Sequence, residues 1–290
     1  VQNLVRKYPA ANARLIIGAV DIGPNPKVNN LMLSYRGARH DLLLISDSNV
    51  RVFPHYLKRL VPLVGQHVGV ITAVVAGTHA LGFGGHLEAA YLNTFYARWM
   101  HIASAFGNSP VVGKSMCFRR SSAERFGGMT NLARYIAEDY MAGQAMQKLG
   151  LKTVIMPEPV QQFIGRHPFK AFWTRHIRWG RIRKSQAPFA FLVEPFIGAV
   201  VSGILGAFAF HHLLTGIPFL VFLLAHLGLW SICDLFMMRR MESKLSWRSW
   251  MFWWVRETLA FPLWLHMACG NTVTWRGQRL KISAGGLLRK

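Results

Sequence analysis

Short apolar runs alternate with stretches of helical spacing through the first part of the chain, and later the apolar runs lengthen to bilayer scale. In the first part "ARLIIGAV" (13–20), "DLLLIS" (41–46), "VGVITAVV" (68–75), "PVVGKSMCF" (110–118) and "KTVIMP" (152–157) predict β-strands. The unbroken run Leu42–Ile45 reads as a strand buried on both faces. Between the strands, "NPKVNNLMLSYRGAR" (25–39) sets Val28, Leu31, Met32 and Tyr35 at helical spacing, and "GHLEAAYLNTFYARWMHIASAF" (85–106) predicts a longer helix. "SSAERFGG" places Ser121 and Glu124 at capping-box spacing before a Gly stop. "AEDYMAGQAMQKLG" opens on acids and closes at Gly150, both suited to the helix dipole. Alternating strand and helix predicts an α/β domain over 1–165, with a mostly parallel sheet and flanking helices.

From residue 166 the pattern changes. In "RHPFKAFWTRHIRWGRIRK" (166–184), at 100° per residue, Phe169, Phe172, Trp173 and Ile177 share one arc. Arg175, Arg178 and Trp179 occupy another. An apolar arc with a basic remainder predicts an amphipathic helix lying in a membrane interface over 166–188. Segments 191–214 and 217–238 are each long enough to span a bilayer, with a tight hairpin at Thr215–Gly216. The third segment, 250–270, carries Arg256 and Glu257 in its middle, which is costly in lipid. It reads as an interfacial helix with a re-entrant turn, or as a full span with the two charges paired inside the bundle. The expected membrane region is 189–270, followed by a basic tail, 271–290.

Charge sharpens this picture. The 290 residues carry a net charge of +22, which suits an acidic partner. Lys and Arg beside long apolar segments favour the bilayer over nucleic acid and place 239–248 on the cytosolic face; if the basic tail is cytosolic too, 250–270 does not span. Cys117, Cys233 and Cys269 have no CxxC spacing, which argues against a zinc or disulfide framework. The chain begins at Val1 without a signal-peptide pattern and reads as a fragment lacking an N-terminal piece.

The residues that could carry chemistry are few. In open parallel sheets ligands bind beyond the carboxyl ends of the strands, where Asp47 falls. A carboxylate there can hold a Mg or Mn ion that carries a diphosphate, or it can cap a loop. Glu138–Asp139 can cap their helix, or supply a general base from two acids that raise one another's pKa. Arg175 and Arg178, one turn apart beside Trp179, can clamp a diphosphate and a base, or simply attract anionic lipid. Lys27 can touch phosphate or remain solvated, and "GKS" (113–115) is a small-residue turn.

The order "NPKVNN", "ISDSNVRV", "VVGKSMCFRR", "YIAEDY", "RHIRW", then apolar hairpins and "TVTWRGQRLKISAGG", resembles the ceramide glucosyltransferases. These are membrane-bound inverting glycosyltransferases with a GT-A fold, and the resemblance covers nearly the whole chain. It implies that Asp139 is the catalytic base and that Lys27, Arg175, Arg178 and Trp179 bind the donor and its diphosphate. It also implies that Asp47 lies at the metal, Mg or Mn, with Gly113, Ser115 and Glu138 near the sugar and acceptor. Where many relatives in the fold have DxD, this chain reads Asp47–Ser48–Asn49, which puts metal dependence in question. The implied reaction moves glucose from UDP-glucose to the primary hydroxyl of ceramide or a similar lipid, giving a β-glucosyl lipid. The catalytic domain would sit on the cytosolic face of an integral membrane protein. The alternative within the same group is transfer of N-acetylglucosamine from its UDP donor to a hopanoid polyol.

Overall fold

The computed structural model describes residues 1–214, 218–241, 245–275 and 277–289. The N-terminal part is a mixed α/β domain. Its central sheet has the order β1 (Leu42–Ser46), β5 (Ser115–Arg119), β3 (Val68–Thr72), β6 (Lys152–Ile155). β3 and β6 are parallel, while β5 is antiparallel to both β1 and β3, so three of the four strands run one way. A second sheet has the order β2 (Val50–Arg51), β7 (Val160–Arg166), β4 (Val75–Leu81), with β4 and β7 parallel. Successive side chains of a strand point to opposite faces. Accordingly Val70, Met116 and Phe118 join one core with Val28, Met32 and Met146, while Ile71 and Cys117 join another with Leu92 and Met100.

Several expectations change here. Residues 13–20 form no strand and join no sheet, with Ile17 81% exposed. The run 68–75 is divided between β3 and β4, and 110–114 forms no strand, with a turn at Gly113–Lys114 just ahead of β5. β1 is an edge strand and only half-buried, with Leu44 38% exposed, because nothing pairs with its outer side. Ser121 lies inside the helix Arg120–Glu124 and bonds Asp41, so the capping box does not form.

The helical expectations hold more closely. Pro26–Gly37 is a helix whose N-cap Asn25 accepts from the Lys27 and Val28 N–H groups. Residues 82–105 form one long helix with a wider π turn at Leu92–Tyr96. Glu138–Lys148 and Phe169–Gln186 follow.

Among the described residues, Phe219–Arg240 is the one helix that by itself is long and apolar enough to cross a membrane. The expected single span at 191–214 is instead two helical pieces, Pro188–Ile197 and Ala199–Leu213, bent by 69°. Gly198 is extended at the break, and Glu257 Oε2 caps the second piece by accepting from the Ala199 N–H at 2.8 Å. The hairpin expected at 215–216 lies outside the described residues.

Trp247–Ala268 is continuous, with Arg256 and Glu257 buried and paired to each other. Arg256 also reaches Asp234 Oδ2 at 3.4 Å, and Trp253 Nε1 donates to the same oxygen at 2.8 Å. Both charges are thus buried and paired within the protein.

The apolar arc of Phe169–Gln186, expected in lipid, is partly covered by protein, with Phe169 41% exposed. Phe172 is 1% exposed and packs with Leu87, Tyr91, Trp253 and Met267, and Trp173 and Ile177 line the same cluster. The tail folds into an antiparallel sheet of β8 (Thr272–Trp275), β9 (Gln278–Ile282) and β10 (Leu288–Arg289), whose core includes Ile136 just ahead of Glu138.

Candidate active site

Antiparallel pairing of β1 and β5 sets Ser46 opposite Ser115. The residue after β1, Asp47, therefore lies beside the residue before β5, Lys114, and the Asp47 N–H donates to the Lys114 carbonyl at 3.3 Å. Lys114 Nζ is 2.9 Å from Asp47 Oδ2 and donates to Asn49 Oδ1 at 2.9 Å. The neighbouring Gly113 N–H donates to Asp139 Oδ2 at 2.6 Å, and the Tyr140 N–H donates to Asp139 Oδ1 at 2.8 Å.

Asn25 ties two helix starts together, since its Nδ2 donates to the Tyr135 carbonyl at 2.7 Å and to Glu138 Oε2 at 3.1 Å. This brings Lys27, on the first turn of its helix, into the acids. Its Nζ is 2.9 Å from Glu138 Oε1 and 3.5 Å from Asp47 Oδ1, and it donates to the Gly113 carbonyl at 3.2 Å. Lys27, Asp47, Gly113, Glu138 and Asp139, distant in sequence, thus share one site.

The electrostatics follow from this packing. Burial works against the Lys27 ammonium, but Glu138, Asp139 and Asp47 hold its pKa above the ordinary lysine value. Burial likewise opposes ionisation of Asp47, and Lys27 and Lys114 outweigh it and lower that pKa. Glu138 moves the other way, raised by burial and by the adjacent Asp139 against the pull of Lys27. Ala137, the residue preceding the helix, has no side chain able to cap it; Asp139 takes the first-turn Tyr140 N–H, while Glu138 is engaged by Lys27 and Asn25. Ser115 is buried, and its hydroxyl shares a hydrogen bond with the Tyr56 hydroxyl rather than facing the acids.

The residues do not fit a preformed divalent-cation site. Both Asp47 oxygens face ammonium groups and Asn49 Oδ1 accepts from Lys114, so the oxygens a cation would need are already engaged. Among the described residues no group of three or more His, Cys, Asp or Glu could hold a metal ion.

The Arg175–Trp179 box packs against the long helix over 82–105 through an aromatic contact. Trp179 lies 5.9 Å from Tyr96, centroid to centroid. Tyr96, whose pKa is pushed up to about 12 chiefly by burial, also feels the charge of Asp139. Arg175 Nη1 donates to Glu88 Oε1 at 3.0 Å, and its guanidinium lies over the Trp179 ring at 6.0 Å. Arg178 is half-buried and has no hydrogen bond or ion pair among the described residues.

Two charged residues in this arrangement escape sequence reasoning, Lys114 and Glu88. Glu88 had a legible signal, since a lone acid within the apolar face of "GHLEAAYLNTF" must find a buried cation.

The model of the family described as "Glycosyl transferase family 21" matches residues 1–288. Ceramide glucosyltransferase 1 of Caenorhabditis elegans is 29% identical over 295 residues, covering 100% of this chain and 63% of the relative. Ceramide glucosyltransferase 3 of the same nematode is 28% identical, and the chain again spans 63% of its length. A ceramide glucosyltransferase of Komagataella phaffii is 26% identical over 97% of this chain and 73% of its own. Among solved structures, a mannosyltransferase from Pyrobaculum calidifontis in complex with GDP-Man and Mn2+ is similar at a TM-score of 0.41 and 12% identity, over 92% of this chain and 72% of that one. With the family's model matched from the first residue to the tail sheet, the chain belongs to glycosyl transferase family 21.

Proposed function

We propose that this protein transfers a sugar from a UDP-sugar donor, glucose by preference, to the primary hydroxyl of ceramide or a similar membrane lipid, inverting the anomeric centre. One observation carries the reading. Asp139 is held by the same Gly113–Lys114 turn that brings Lys114 to Asp47, so a base and two cations converge at the sheet edge. In this reading the donor diphosphate lies among Lys27, Lys114 and Arg178. Asp139 takes the acceptor's hydroxyl proton through a lone pair not used by Gly113 or Tyr140. The acceptor oxygen bonds to the anomeric carbon as the bond to the diphosphate breaks, and UDP leaves with both electrons of that bond. The cations stabilise the leaving charge, and positioning supplies most of the remaining rate.

The apolar helix Phe219–Arg240 supports an integral membrane location, and the basic residues at its Arg239–Arg240 end favour a cytosolic catalytic domain in this reading. The test uses membranes holding the full-length protein. They are incubated with labelled UDP-glucose or UDP-N-acetylglucosamine and with ceramide or a hopanoid polyol, and the products are identified. We expect β-glucosylceramide, and we expect Asp139→Asn to lower kcat by about 10²–10⁴-fold with the fold intact. Transfer retained in Asp139→Asn would remove Asp139 as the base, and product formed only from the other donor and acceptor would move the reading to the hopanoid reaction.

A further inference from the structure

Seven Lys or Arg residues lie between Arg166 and Lys184, and the structure gives most of those near the box a protein partner. Arg181 donates to the Thr272 carbonyl, and Lys184 to the Ala268 and Gly270 carbonyls at 2.8 and 2.6 Å, closing the end of the helix Trp247–Ala268. Arg183 forks onto the Glu194 carboxylate at 2.9 and 2.8 Å. Arg175 is taken by Glu88. Arg178 is left, half-buried and without a partner among the described residues.

Glu88 is 0% exposed and divides its two oxygens between adjacent residues of the box helix. Oε1 accepts from Arg175 Nη1 at 3.0 Å, and Oε2 meets Nε2 of the fully buried His176 at 2.9 Å. Residues adjacent on a helix point about 100° apart, so gripping both fixes the rotation of that helix about its axis. His176 is itself wedged between rings, 3.9 Å from Tyr91 and 4.2 Å from Phe172, with Trp179 edge-on at 5.1 Å.

We propose that Glu88 is a positioning residue for the donor site: by holding Arg175 and His176 it neutralises the first arginine of the box and aims the second, Arg178, with Trp179, at the donor diphosphate. Arg175 is then a strut, and a nucleoside diphosphate is recognised by Arg178 together with Lys27 and Lys114. This divides a box whose two arginines look equivalent in sequence. It rests on the reading of the site as a UDP-sugar site.

The test is UDP binding by calorimetry and donor KM against kcat, on the full-length protein in detergent or nanodiscs. Arg178→Gln should weaken UDP by about 10- to 100-fold, the loss of one or two charge-assisted bonds. Glu88→Gln and Arg175→Gln should each weaken UDP about tenfold and raise donor KM, with a smaller change in kcat. The double variant should be no weaker than either single one, because both break the same strut.

If Glu88→Gln does not fold, Arg175→Gln carries the comparison alone. The inference is overturned if folded Glu88→Gln or Arg175→Gln keeps wild-type UDP affinity and donor KM. It is also overturned if Arg175→Gln abolishes UDP binding while Arg178→Gln leaves it unchanged. A wild type that binds UDP but glycosylates neither lipid would sink the lipid-transfer reading and leave this comparison standing, whereas a wild type that binds no UDP overturns both.

Discussion

Gly113 is where a single methyl group should harm chemistry most and folding least. Its φ lies outside the left-handed region, so alanine there changes space alone. An added Cβ would lie 2.5 Å from Lys27 Nζ, 2.9 Å from Asp139 Oδ2 and 3.2 Å from Asp139 Cβ. Ordinary contact needs roughly 3.5 Å, so the ammonium must retreat by about 1 Å and the carboxylate oxygen by about 0.6 Å. Both atoms end flexible side chains that retain some solvent access, so the fold absorbs the shift at a cost of about 1 kcal/mol, or about 2–4 °C in Tm. Catalysis tolerates it far less, since misplacing a reacting group by about 1 Å costs on the order of 100-fold. We therefore expect Gly113→Ala to unfold within a few degrees of wild type while kcat for lipid glycosylation falls about 100-fold. Transfer and thermal unfolding should be measured on the same detergent preparation. A wild-type kcat would refute the geometry, and a Tm lower by more than about 10 °C would show that the turn serves the fold instead.

Acid stability gives a second test. The pKa of Glu88 is lowered to about 2 because His176 and Arg175 outweigh its burial. A depressed carboxylate pKa contributes stability above its unfolded value, near 4.5, and loses it as pH falls towards 2; the shift corresponds to on the order of 3 kcal/mol. The stability difference between wild type and Glu88→Gln should therefore be large at pH 6 and shrink by pH 3, as read by denaturant unfolding. A difference independent of pH would contradict the ion pair. Glu138 has the opposite sign, because its raised pKa costs stability as pH rises past the unfolded value. Gly180 lets the box helix approach Trp247–Ala268 so closely that an added Cβ would run into the Met267 side chain. Gly180→Ala should cost about 1–3 kcal/mol as overpacking, and should cost less when introduced into a Met267→Ala background, read in the same unfolding assay.

Much of the site was legible because its chemistry is carried by residue type. A carboxylate after an apolar run, an acid pair opening a helix and two arginines beside a tryptophan are local signals, and the fold brings Asp47 and Asp139 to the same Gly113–Lys114 turn. What sequence did not give was partnership. Lys114 is an ordinary lysine until β5 runs antiparallel to β1 and carries it to Asp47. The basic run 166–184 reads as lipid-seeking by composition, yet Arg175, Arg181, Arg183 and Lys184 are spent on protein acceptors. Segment 13–20 has the composition of a strand and lacks one because no neighbour offers it a ladder. Burial of both faces of β1 was inferred from an unbroken apolar run, which does not reveal whether a strand is central or at an edge.

The helix over 82–105 shows how the separate parts are held in register. It carries Glu88, which grips the box helix at Arg175 and His176, and Tyr96, which packs on the same helix at Trp179. Eight residues apart on a regular helix, these two side chains would point about 80° away from one another. The π turn at Leu92–Tyr96 takes up about one extra residue, which removes about 100° and leaves them about 20° apart, on one face. Asn93 fixes that turn to β4, donating to the Gly77 carbonyl at 3.0 Å and accepting from the Gly77 N–H at 2.7 Å. Arg98, two residues beyond Tyr96, points about 200° away from it. There it pairs with Asp234 of the apolar helix Phe219–Arg240. The irregular turn thus sets Glu88 and Tyr96 toward the Arg175–Trp179 box and Arg98 toward the apolar helix, so one helical element ties the box helix to Phe219–Arg240.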